Sequence, residues 1–180
     1  MHPSVRFSMP CFRRLIAIAV SALACVFASA AYATSVIRLD DRELVRLSGT
    51  IAEGRVTAVH ADWTPDHTQI FTTVTIQVSH QYKGARPDNG ALSIRLLGGR
   101  VGDVSMELVD QPLFQTGENV IVFLDATSPT YAPLTGLFQG KLTIATDPAT
   151  GAPTVVDRGV PLDTFVRNIS RLVDEQEKGR

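Results

Sequence analysis

From Ile70 to Lys83 the chain alternates. Ile70, Val74, Ile76, Val78 and Tyr82 share one parity, and Thr73, Thr75, Gln77, Ser79, Gln81 and Lys83 share the other. A period of two residues places the two sets on opposite faces of an extended strand, one in the core and one in water. Phe71 and Thr72 break the pattern and predict a twist at the start. A run this long exceeds the usual strand. Long strands that bend are the means by which small barrels let one strand serve both sides. The expected class is therefore mainly β, built as a small closed or partly open barrel.

The neighbouring segments fit that frame. Asp40–Leu47 reads as a short helix, with acids at its start to suit the helix dipole and Gly49 to end it. Ile51–Trp63 is rich in β-branched residues and Ala, and its alternation slips near Ala58-Val59, which predicts a bulged strand. After the turn-rich Arg86–Gly90, Ala91–Leu97 returns as a strand with Leu92, Ile94 and Leu96 inward and Ser93 and Arg95 outward. Gly98–Asp103 reads as a loop. Val120–Leu124 is apolar on both faces, so both must be covered, one of them by a helix outside the barrel. Lys141–Thr146 and Thr154–Asp157 flank a turn and read as a hairpin. Pro161–Glu177 spaces Leu162, Phe165, Val166, Ile169, Leu172 and Val173 as one face of an amphipathic helix, with Pro161 in the first turn.

The chain opens on Arg6, Arg13 and Arg14, an uncharged apolar run from Leu15 to Ala31, and Ala31-Tyr32-Ala33. These are the basic region, apolar region and small-x-small cleavage site of a secretory signal peptide. Residues 1–33 are expected to be that signal and 34–180 a single β-barrel domain, periplasmic or secreted. An uncleaved membrane anchor, a lipoprotein signal at Cys25 and a twin-arginine signal at Arg13-Arg14 are the alternatives. Both cysteines, Cys11 and Cys25, fall in this segment, so the exported portion has no disulfide, thiol nucleophile or cysteine metal site. Of 17 Lys and Arg, the three leader arginines are lost, leaving 14 against 18 acids, a charge of −4. The basic residues are scattered, which argues against nucleic acid as partner.

Candidate chemistry is sparse. His60, Asp62 and His67 flank a turn and offer two imidazoles and a carboxylate, the weak metal candidates in the chain, but their spacing matches no compact ligand motif. His80 falls on the inward parity of the long strand and reads as a core-edge histidine. No G-x-S-x-G elbow and no H-E-x-x-H is present. Glycines in Gly98–Asp103 permit close backbone approach, and Arg100 adds a planar donor fork. Trp63, the single tryptophan, sits beside Thr64-Pro65-Asp66. No cofactor is implied.

Gly54-Arg55-Val56, Trp63, Ile70–Val78, Tyr82-Lys83-Gly84, Phe114–Leu124 and Gln139–Leu142 together resemble a group of uncharacterised bacterial exported proteins, over most of residues 44–145. The same stretch is similar, more loosely, to the first half of tissue-inhibitor-of-metalloproteinase and netrin-like domains. That resemblance implies an OB-like barrel whose long second strand ends in Lys-Gly, and a secreted protease as the kind of protein partner. Those inhibitors chelate zinc through an N-terminal cysteine, which the exported portion lacks, so no functional residue is carried over.

The expected function is a non-enzymatic binding module contacting a protein partner through Trp63, Arg95, Arg100 and Asp103. A glycan- or small-ligand-binding domain using Trp63 and Arg100 is the alternative, and a hydrolase with an unrecognised site is a third reading. Contact with a membrane is expected only through an uncleaved signal segment.

Overall fold

The computed structural model describes residues 38–108, 111–125, 127 and 133–179; the expected signal peptide lies outside them. Among the described residues the fold is mainly β, with an antiparallel sheet of seven strands and two α-helices. Helix α1 is Asp41–Leu47, and the strands are β1 Thr50–Trp63, β2 Ile70–Lys83, β3 Ala91–Leu97, β4 Gly99–Val101, β5 Val104–Met106, β6 Asn119–Leu124, β7 Lys141–Thr146, β8 Pro153–Val155 and β9 Val160–Pro161. Helix α2 is Leu162–Lys178. The large sheet runs β3-β2-β1-β6-β7-β8-β9, while β4 and β5 form a separate hairpin. Among the described residues no ladder joins β3 to β9, so the sheet keeps two edges and no closed barrel is found.

Both faces of this sheet are apolar, as β6 required. Val120, Val122 and Leu124 join one core with Val56, Val74, Ile76 and Ile94, capped by Phe114 and Leu134. Ile121 and Phe123 join a second core with Leu44 and Val45 of α1 and Phe165, Ile169, Leu172 and Val173 of α2. The two helices thus cover one face, and the opposite face holds the other core. Asp40 caps α1 by accepting from the Glu43 amide at 2.7 Å. Lys83 ties the helices together, donating to the Val45 carbonyl at 2.7 Å and to Gln176 at 2.8 Å.

Bulges explain where strict alternation misleads. The β1–β2 register slips between Val56 and Ala58, next to the predicted break, and again between Glu53 and Gly54 and between Ile51 and Ala52. One extra residue inverts the facing of everything beyond it. Val78 therefore points into the first core, while Tyr82, of the same parity, packs against the second. His80 lies past the slip; it is exposed rather than at a core edge, and its ring stacks on Tyr82 with centroids 6.3 Å apart. Gly54 sits beside one of these slips: a Cβ there would lie 2.3 Å from the Gln77 carbonyl oxygen and 2.7 Å from Ile76.

Two local expectations need correction. Gly98–Asp103 is not a simple loop, since Gly99–Val101 is a strand paired with Val104–Met106, and the turn is confined to Gly102-Asp103. Its glycines serve close approach: Gly99, at φ +138°, would place a Cβ 2.3 Å from the Thr72 hydroxyl. Pro161 stands at the cap of α2 and not inside it, because it first ends the short strand β9.

Candidate functional site

The open side of the first core leaves a groove of about 850 Å³. Sheet residues Val59, Val74 and Leu96 line it, together with the β4–β5 hairpin and the segment 111–114. The lining is mixed: Met106, Leu108, Pro112, Leu113 and Phe114 stand among Thr72, Arg100, Ser105, Glu107 and Gln111, with the glycine backbone at 98 and 99. Leu113 is 83% exposed, and Leu108 and Val104 also stand out to solvent. Two exposed leucines and a valine beside a partly apolar channel make a surface suited to binding.

The wall formed by 111–118 is held from β7, on the same face of the sheet as the first core. Lys141 of β7 is 10% exposed; it donates to the Leu113 carbonyl at 2.5 Å and to Glu118 at 2.9 Å. Its ammonium also sits 4.7 Å from the centre of the Phe114 ring. Glu118 accepts from the Gln115 amide at 2.8 Å, closing the turn, and Gly117 donates to the Val56 carbonyl. One buried cation thereby fixes backbone, carboxylate and ring together. Lys141 and Glu118 are too far apart in sequence for any local spacing rule to pair them.

The residues singled out from the sequence do not converge. Arg100 and His60 line the groove. Arg100 donates to the Gly102 carbonyl at 3.2 Å within its own hairpin, and Asp103 is exposed in that hairpin's turn. Arg95 projects from the opposite face of β3 to Leu96, with its guanidinium 4.1 Å over Phe71. Trp63 is half-buried, its ring 5.9 Å from that of His67, and it does not line the groove. Exposed His60 pairs with Asp62 at 3.0 Å, apart from the Trp63–His67 contact. Among the described residues no three His, Cys, Asp or Glu side chains are grouped to hold a metal ion, and no helix is long and apolar enough to cross a membrane.

A second polar cluster sits at the β1–β2 slip. The Tyr82 hydroxyl donates to the Glu53 carboxylate, whose other oxygen lies 3.7 Å from His80 Nδ1. Burial, and then the hydrogen bond to Glu53, push the Tyr82 hydroxyl well above its ordinary value of 10.0. Its role is to let a buried carboxylate sit where the strand changes cores. Comparison of the chain with models of known protein families and with curated proteins finds no match.

Proposed function

We propose that this chain is an exported binding module that takes an apolar segment of a protein partner into the groove between the β4–β5 hairpin and residues 111–114. The observation that carries this reading is Leu113, almost fully exposed at the lip of a partly apolar channel whose wall is pinned by the largely buried Lys141. A pinned wall is preorganised, so binding costs little ordering. The polar groups of the groove are one imidazole, one guanidinium and one carboxylate, His60, Arg100 and Glu107, beside a few neutral donors. Ser105 donates to Glu107 at 3.3 Å within the hairpin, and these groups can serve as hydrogen-bonding partners for a bound polypeptide segment. The same features support reading the bent sheet as a partly open OB-like barrel with the groove at its opening. The leader over residues 1–33 supports a periplasmic or secreted site of action.

The test uses the immobilised chain, its Leu113→Glu variant and an Arg167→Glu control on the exposed face of α2. Each is exposed to the periplasmic and secreted proteins of the source cell. The expected result is a partner retained by the parent and the control and lost at least tenfold by Leu113→Glu. Equal retention by all three, or none by any, overturns the reading.

A further inference from the structure

The two edges of the large sheet are built differently. The β9 edge is two residues long and ends in Pro161, which has no N–H to offer. The β3 edge is seven residues long, with no proline, no lysine and an unbroken register to β2. Its hydrogen-bonding parity follows from its ends. The Gly98 amide donates to Ile70 at 2.6 Å, and the Gly90 carbonyl accepts from Val78 at 2.8 Å. Even-numbered residues therefore turn their N–H and C=O toward β2, and Ala91, Ser93, Arg95 and Leu97 turn theirs away. The Ala91 amide is taken by the Asn89 side chain at 3.0 Å. Among the described residues no backbone partner meets the outward groups of Ser93, Arg95 and Leu97.

We infer that the β3 edge pairs with the β3 edge of a second copy of this chain, antiparallel about a two-fold axis at Ile94, making one continuous sheet. The strand is self-complementary in that register. Ser93 stands opposite the second copy's Arg95 and Arg95 opposite its Ser93, so the outward N–H and C=O groups of both exchange four hydrogen bonds. Ile94 stands opposite Ile94 and half-buried Leu92 opposite Leu96, so no charged side chain falls on that face of the joint. Moving the axis to Arg95 sets two like charges directly opposite each other, which is unfavourable. Moving it to Ser93 sets Arg95 against Ala91, whose amide is already bonded, so each pair beside the axis loses a bond. At Ile94 the bonded Ala91 amide falls opposite Leu97, outside the four central bonds, and no like charges stand directly opposite. A closed two-fold contact of this kind ends assembly at two copies.

Sedimentation velocity on the exported chain, residues 34–180, over a hundredfold concentration range reads the association directly. The expected result is a shift from the mass of one such chain to twice that mass. Ser93→Pro removes one outward N–H that the fold does not use, so the variant keeps the parent's circular dichroism and dissociates at least tenfold more readily. A second measurement is independent of folding changes at Ser93. Residues 34–180 hold no cysteine of their own, so oxidation of mixed Ser93→Cys and Arg95→Cys chains gives a disulfide-linked pair, and neither variant alone does. A monomer at every concentration overturns the proposal. So does association unaffected by Ser93→Pro in the absence of the mixed disulfide, or capture of the edge by another protein in place of the second copy.

Discussion

At the scale of single residues, position decides what a side chain is worth. Gly54 is required by space rather than by φ: a methyl group there meets a carbonyl oxygen that the β1–β2 ladder holds in place. Gly54→Ala is expected to cost at least about 2 kcal/mol by overpacking, read as a shifted urea midpoint with unchanged slope. Tyr82 makes a prediction with a sign. Its hydroxyl keeps its proton in the folded chain beyond the pH at which a free tyrosine loses it. Above about pH 10 the unfolded chain binds fewer protons than the folded one, so stability falls as pH rises. The contribution is fully present below that pH. Denaturation midpoints between pH 9 and 11 should decline in the parent and decline less in Tyr82→Phe.

Among the elements, the segment 111–118 is tied to β7 through one side chain, Lys141, and to β1 through the Gly117 and Glu118 backbone. Lys141→Met leaves Glu118 as a nearly buried carboxylate with no cation and frees the Leu113 carbonyl. The expected loss is about 3 kcal/mol, with amide exchange speeding up most at residues 113–118 and least in α2. The other elements were largely legible beforehand. Alternation marked β2 and β3, and helical spacing marked α2, because each has one face in a core and one in water. The doubly apolar β6 correctly implied a helical layer on one side. Three things escaped for physical reasons. The facing of His80 and Tyr82 depends on a bulge, and a bulge inverts parity without leaving a compositional mark. The β4–β5 hairpin is glycine-rich because backbone meets backbone there, and composition alone reads that as loop. The groove's wall depends on the long-range pairing of Lys141 with Glu118, while Arg95, Arg100 and Trp63 drew notice by residue type and lie on separate surfaces.

For the molecule as a whole, β1, β2 and β6 each contribute to both cores, so neither core can be lost alone. Phe123→Ala, in the core under the helices, is expected to cost about 3–5 kcal/mol. Trp63, at the far end of β1, should report the same midpoint as the backbone signal, in one cooperative transition. Separate midpoints would mean that the two cores melt independently. The β1–β6 ladder carries a further consequence, because it sets Thr50 opposite Leu124 and Arg55 opposite Asn119. On the ribosome, the first strand emerges long before its second neighbour has been translated. The nascent chain can make the β1–β2 hairpin early, yet its central strand stays open on one side until position 124 has left the exit tunnel. A polypeptide that must wait in this way for its own later half stays threadable through a narrow pore for most of its synthesis.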